Sequence, residues 1–241
     1  MKKNLLKVLT FAVVLLISAL FASCSLNCIK GSGHTNVEDR KVNYFTKLRI
    51  SGAYKIILKQ DSSLSLHITA DDNLMRYIHT ETDGDWLKIY SKKNLCTSGQ
   101  IIVNIGVRNL DEIKGSGAIE ISSDGTLNVH DIAFRLSGAS KADLDLHAAN
   151  VTTKGTGATE ITLRGQASTH DVDLSGSGKL HALDFVVGRY NIETTGASHC
   201  QINVLQQLDI HSTGASDIEY RGNPATINNS KSGASSLTKV D

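Results

Sequence analysis

A single proline stands in 241 residues, and aromatic side chains make up only 5% of them. That much proline is far too little for a collagen-like or proline-rich chain. Net charge is also nearly missing, at a formal +1, so there is no clustered Lys/Arg footprint of nucleic-acid binding. Disorder is excluded from the other side, because 40% of the residues are hydrophobic and the charge is weak. The four cysteines contain no Cys-x-x-Cys spacing, which removes support for a zinc site or a dithiol redox motif. No Gly-x-Ser-x-Gly elbow and no phosphate-binding loop occur, so no cofactor is implied. The length allows one or two domains.

What is present begins with a leader. Lys2, Lys3 and Lys7 precede an uncharged apolar run from Val8 to Ala22, the basic head and hydrophobic centre of a secretory signal peptide. The run is too short to span a bilayer comfortably. It ends in Phe21-Ala22-Ser23-Cys24; small residues before a cysteine resemble the bacterial lipobox, at which the thiol is acylated and the chain cut before it. Residues 1–23 are therefore read as a lipoprotein signal peptide and Cys24 as the lipidation site, where two or three acyl chains would anchor stably. The mature chain then has 22 basic and 24 acidic residues, a net charge of −2. Cys28, Cys96 and Cys200 remain, and an odd number in an oxidising compartment leaves at least one free thiol or an intermolecular link. Cys28 reads as an incidental thiol on a flexible tether over residues 24–40.

The body of the chain is a repeat. A small-Gly-small cluster followed by an alternating segment recurs at Gly117, Gly138, Gly157, Gly178, Gly196, Gly214 and Gly233, separated by 21, 19, 21, 18, 18 and 19 residues, with a diverged copy at Ser51-Gly52-Ala53-Tyr54. A period near twenty points to a solenoid. Apolar residues alternate with period two on both sides of each glycine, which argues strand. Ile113, Phe134, Leu174, Ile192 and Ile210 form one inward column. Ile121, Ala142, Ile161, Ala182, Cys200, Ile218 and Leu237 form another. Glycine fits a sharp corner where a Cβ would crowd the next layer. Stacking such units in parallel buries one continuous core. The expected fold is all-β: a single-stranded parallel β-helix, right-handed by the general handedness of parallel crossovers. Its narrow interior accounts for the scarcity of rings.

Residues 41–110 are less regular. Alternating stretches at 43–50, 53–59, 64–69, 86–90 and 101–107 read as first rungs plus a cap, and 111–241 as the regular repeats. The lipoprotein-type leader, the strand Phe45-x-x-Leu48-x-Ile50-Ser51-Gly52, the Ile57-Leu58 strand followed by Gln60-Asp61, the segment Ala70-Asp71-Asp72-Asn73-Leu74 and the recurrent Ser/Thr-Gly-Ala/Ser units together resemble the putative auto-transporter adhesin family, head GIN domain, over residues 35–241. The resemblance implies a parallel β-helix exported to the envelope of Gram-negative bacteria. It brings no catalytic motif to carry onto this chain.

Register converts the sequence into surface columns. Three residues after each glycine run Glu120, Lys141, Glu160, His181, His199, Asp217 and Ser236, which reads as a solvated charge ladder; two imidazoles without a third ligand support no metal site. Polysaccharide lyases and hydrolases on this scaffold need gathered carboxylates, whereas the columns read here hold no two neighbouring acids. The pairs His130-Asp131 and His170-Asp171 fall at equivalent positions two repeats apart, but Ala149 interrupts them. Three residues before each glycine run Lys114, Arg135, Lys154, Ser175, Glu193, His211 and Ser230. Three cations on consecutive strands are not required by the fold and are mutually repulsive. They read as the candidate ligand-binding strip for an anionic polymer, with Glu112 as a screening acid in the blander alternative.

The sequence therefore points to a lipid-anchored outer-membrane protein with a non-catalytic surface for adhesion or for binding a glycan or envelope polymer, without nucleic-acid partners. The alternative is a polysaccharide-processing enzyme on the same scaffold. Ser25-Leu26-Asn27-Cys28-Ile29-Lys30 carries no acidic tract of the kind associated with surface export, which leans toward the periplasmic face without fixing it. The ligand and the oligomeric state are not legible.

Overall fold

A computed structural model describes residues 28–97 and 99–241. The signal peptide and Cys24 lie outside the described residues. The described chain is all-β apart from one short 3-10 turn at Met75–Tyr77. In chain order the strands are β1 (Ile29–Lys30), β2 (Thr35–Lys41), β3 (Lys47–Gln60), β4 (Ser65–Asp71), β5 (Ile78–Asp83), β6 (Trp86–Ser91), β7 (Leu95–Cys96), β8 (Ile102–Val107), β9 (Glu112–Asn128), β10 (Asp131–Gly196), β11 (His199–Gly214), β12 (Asp217–Arg221), β13 (Thr226–Gly233) and β14 (Ser236–Lys239). Among the described residues no helix is long and apolar enough to cross a membrane.

From β3 onward, successive repeats pair in parallel and in register. Gly52 lies beside Gly117 and Gly117 beside Gly138, and Gly196 pairs with Gly214 and Gly214 with Gly233. The alternation seen in the sequence becomes burial: Ile113, Phe134, Ile161, Ile192, Cys200 and Ile218 are all enclosed. Glu160 and Asp217, one residue from buried neighbours, face outward. Each buried side chain packs against its equivalent in the next repeat, so the apolar row of one unit is covered only by its neighbours.

The glycine column explains why this residue recurs. At Gly138 the backbone has φ +86°, and a Cβ would lie 2.7 Å from the carbonyl oxygen of Gly117. A side chain would both strain the backbone and push the strands apart. The same test corrects the fifth repeat, where the Ser-Gly-Ser-Gly segment offers two glycines. Gly176, with φ +101°, carries the contact to the Gly157 oxygen at 2.9 Å, whereas Gly178 sits beyond the corner against Leu174. The neighbouring strand agrees, pairing Lys179 with His199 and Leu180 with Cys200. The two-residue difference is absorbed by irregularities between Ala182 and Arg189. Because strand side chains repeat every two residues, the slip leaves inside and outside intact; Val172, Leu174, Leu180 and Ala182 are all buried. It does change which residues stack. Lys179, not His181, belongs with His199. Asp173, not Ser175, belongs with Lys154.

The N-terminal third covers one end of the stack. β3 pairs with β9 on one side and with β6 and β8 on the other. β4 and β2 continue antiparallel from β8. β5 and β6 form a hairpin around Gly84. Residues 28–41 are not a loose tether: β1 pairs with β7 and β2 with β4. Cys28 is bonded to Cys96, 68 residues away, so it is a structural cysteine rather than an incidental one. The Asp71-Asp72-Asn73 segment holds this arm. Asp71 accepts from the Gly33 amide and the Thr97 hydroxyl, Asp72 accepts from the Ser32 hydroxyl, and Asn73 bonds the Ser32 amide and the Lys30 carbonyl. Charged residues along β2, the outermost strand, blunt the exposed edge.

Candidate functional site

The three residues singled out as a strip are brought together. Lys114 and Arg135 are direct cross-strand partners, and Lys154 follows on the next repeat. All three line one surface groove of about 430 Å³. A fourth cation joins them: Arg49, three residues before Gly52, pairs with Lys114 and lines the same groove. The signal for it in the sequence is the diverged copy at Gly52, where Arg49 holds the position equivalent to Lys114. Beyond Arg49 the register continues to Lys88 on β6, which is occupied by Asp83 at 2.6 Å and Glu81 at 3.6 Å. At the other end, Lys154 meets Asp173 at 3.3 Å, and Glu193 comes next in the column.

Within these bounds the screening acid is real. Glu112 lies 2.8 Å from Arg135 Nε and 3.2 Å from Lys114 Nζ. Burial works to raise its carboxyl, but the hydrogen bonds from Arg135 and Lys114 outweigh it and hold the group below the usual carboxylate range. Arg49 is placed differently, with its guanidinium 4.7 Å from the centre of the Trp86 ring; Lys114 Nζ lies 4.5 Å from the same ring. These are cation–π distances. Trp86 reaches the strip because β6 pairs in parallel with β3, a long-range pairing that no local pattern revealed.

A second row runs beside the cations. Ser51, Ser116, Ser137 and Thr156, two residues further along each strand, all line the groove. Ser116 donates to Ser51 Oγ at 3.1 Å, and Ser137 reaches the Gly115 carbonyl at 3.3 Å. The groove thus offers a line of fixed positive charge and, parallel to it, a line of hydroxyl donors and acceptors.

The remaining candidates separate. His181 and His199 have ring centres 6.3 Å apart but serve different partners: His181 Nδ1 bonds Gln201 Oε1 at 3.0 Å, and His199 Nδ1 faces Asp217 at 3.5 Å. Among the described residues no group of three His, Cys, Asp or Glu is placed to hold a metal. His170 and His130 are not equivalent: His130 is exposed and His170 fully buried, a consequence of the two-residue shift at Gly176. The same shift makes Asp173 and Glu193 column neighbours, so one column does hold two adjacent acids. Asp173 is tied to Lys154. Among the described residues Cys200 is the free thiol, and burial pushes it up to about 12, which removes it as a nucleophile.

An all-β protein of parallel, glycine-cornered repeats with a cation-lined groove on its outer face is the class that this architecture defines. The chain belongs to the family described as "Putative auto-transporter adhesin, head GIN domain", which matches residues 44–224. Its fold is shared with solved structures. A putative adhesin from Bacteroides fragilis superposes with TM-score 0.82 at 19% identity, covering 88% of this chain and 100% of that one. A putative lipid binding protein from Parabacteroides distasonis gives 0.73 at 20% identity over 88% and 99%. A putative adhesin from Parabacteroides merdae gives 0.69 at 20% over 89% and 100%. No curated protein matches the chain. The family groups the protein with putative adhesins.

Proposed function

We propose that the protein is an outer-membrane lipoprotein, acylated at Cys24, whose repeats form one right-handed parallel β-helix and whose outer face binds an anionic envelope polymer without chemical turnover. Parallel in-register pairing of units about twenty residues apart supports the β-helix. The observation that carries the binding reading is the block of four cations, Arg49, Lys114, Arg135 and Lys154, on consecutive strands of one groove. Glu112 and Asp173 supply only two carboxylates against them. Arg135, able to offer a two-pronged donor face, is the centre of the site.

The test is binding of dextran sulfate and heparin across a salt series. Affinity falls steeply with salt, and Arg135→Ala weakens it more than Lys231→Ala, a cation outside the groove. Equal losses for the two variants would overturn the site. Product release from any glycan that vanishes on replacing one carboxylate would overturn the non-catalytic reading. Stronger binding to anionic lipid vesicles than to either polymer would transfer the ligand to a membrane surface. Fatty-acid labelling that persists in Cys24→Ala would remove the proposed anchor position.

A further inference from the structure

Resting on that reading, we infer that the polymer is a polyuronate: an acidic polysaccharide with a carboxylate on every sugar, lying across the strands with one sugar per strand over a four-strand footprint. Neighbouring strands are about 4.8 Å apart, so the side chains of Arg49, Lys114, Arg135 and Lys154 leave the sheet at that pitch. One pyranose residue of an extended glycan advances by a comparable distance. A glycan charged on alternate sugars would meet only every second cation.

The hydroxyl row adds a second match. Ser51, Ser116, Ser137 and Thr156 repeat at the same pitch, two residues along each strand from the cations. Each strand therefore presents one cation and one hydroxyl. Each uronic acid residue presents one carboxylate and several ring hydroxyls. A polyphosphate could only accept from the second row, whereas sugar hydroxyls can both donate to it and accept from it. The footprint is bounded by charge at both ends. Lys88 is already held by Asp83 and Glu81, and beyond Lys154 the column turns acidic at Asp173 and Glu193.

The molecule carries its own reporter. The chain has one tryptophan, Trp86, and its ring lies under both Arg49 and Lys114. Drawing either cation toward a bound carboxylate changes the indole's surroundings.

The experiment titrates the full chain, in mild detergent, with di-, tetra- and hexagalacturonate, with a hyaluronan octasaccharide carrying four carboxylates, and with inorganic polyphosphate. Trp86 emission and calorimetry are followed together. Each half-exposed ion pair contributes about threefold in affinity. Tetragalacturonate then binds about tenfold tighter than the dimer, and the hexamer gains less than about threefold more. The hyaluronan octasaccharide falls to about the level of the dimer. Arg49→Ala costs about as much as Arg135→Ala, measured by calorimetry because the first variant also alters the resting emission. Thermal melts establish that both variants are folded. Equal affinity for hyaluronan and galacturonate at equal charge, or tighter binding of polyphosphate, overturns the polyuronate assignment and leaves the anionic-strip reading standing. Absence of salt-sensitive binding to every one of these probes, with dextran sulfate also inert, overturns both.

Discussion

His170 makes stability depend on pH in a window that opens well above that of the carboxylates. The ring is fully enclosed, 5.1 Å from Tyr190 and 5.9 Å from Phe185 between ring centres. Its Nε2 is 2.8 Å from the Thr153 hydroxyl, and its Nδ1 has no partner. The neutral tautomer with Nε2–H donating to Thr153 leaves a bare lone pair at Nδ1 rather than a bare N–H. A second proton would place a charge in an apolar interior without a counter-ion, and burial accordingly pushes the pKa down to about 3. The folded pKa is depressed below the ordinary 6.5, so unfolded chains bind a proton that native chains refuse. The resulting stability is fully present above pH 6.5 and is lost as pH falls from there toward 3. The slope is about 1.4 kcal/mol per pH unit, giving roughly 3 kcal/mol between pH 6.5 and 4.5. Against a typical total of about 5–15 kcal/mol that loss is large.

Urea midpoints at pH 7.0, 6.0, 5.0 and 4.5 measure it, with the double variant His170→Leu/Thr153→Val as reference. Replacing both partners by apolar groups of similar shape avoids stranding the threonine hydroxyl. The wild-type chain loses stability down this series and the double variant stays close to flat. The carboxylates held low by their partners, Asp61, Asp72, Asp83 and Glu112, lose their contributions only at more acidic pH. Equal slopes for the two proteins would mean that the ring is hydrated or paired when protonated, and the account of the interior near Tyr190 would be wrong.

Two further outcomes test the core and the arm. Ile161→Asp places a carboxylate in a dry column and costs about 3–5 kcal/mol, whereas Glu160→Gln, removing a surface pair with Lys141, costs less than about 1 kcal/mol by chemical denaturation; equal costs would put the register one residue off. Replacing Cys28 and Cys96 by Ser releases a long loop and lowers stability by about 4 kcal/mol in the chain-entropy account, with protection of the β1 and β2 amides from hydrogen exchange lost first; unchanged protection would show that the Asp71–Asn73 contacts hold the arm unaided.

Much of this architecture was legible because it is periodic. Glycine spacing and alternation predict strands, their inward faces and the stacking of Ile113 on Phe134 and of Ile121 on Ala142 from local information alone. The errors lie where periodicity is ambiguous or absent. Ser175-Gly176-Ser177-Gly178 satisfies the motif at two positions, and only the close approach of Gly176 to the neighbouring strand decides between them. Burial survived that slip because it was even, but the surface columns did not: His181 was stacked on His199, and Ser175 stood where Asp173 belongs. The arm reads as a tether in the sequence because Gly31, Ser32 and Gly33 look like linker. Its order comes instead from Cys96 and from Asp71 to Asn73, partners far away in sequence. The cations of the strip were legible in part; Trp86 was not, because parallel pairing of β6 with β3 leaves no trace in either strand alone.

The strip can be judged against a control in the same molecule. Three residues after each corner glycine the column runs Lys55, Glu120, Lys141, Glu160, Lys179, His199 and Asp217. Charge alternates through its first five members, and Lys55 meets Glu120 at 3.4 Å and Lys141 meets Glu160 at 3.2 Å. This is what stability favours on neighbouring strands, where opposite charges attract and like charges repel by about 0.2–1 kcal/mol a pair. Three residues before the same glycines, on the same strands at the same pitch, the charges are sorted instead into a basic block followed by an acidic one. The backbone is common to both columns, so the fold does not impose the sorting. Neutralising the block therefore separates the two explanations. The triple variant Lys114→Gln, Arg135→Gln, Lys154→Gln removes three repulsive neighbour contacts, the one with Arg49 included, and also the pairs with Glu112 and Asp173. Its stability in low salt should stay within about 1 kcal/mol of wild type, while dextran sulfate binding falls by about thirtyfold, threefold for each cation removed. A gain in stability with anion binding unchanged would reduce the strip to an unrelieved charge cluster, and the ligand site would have to be sought elsewhere on the surface.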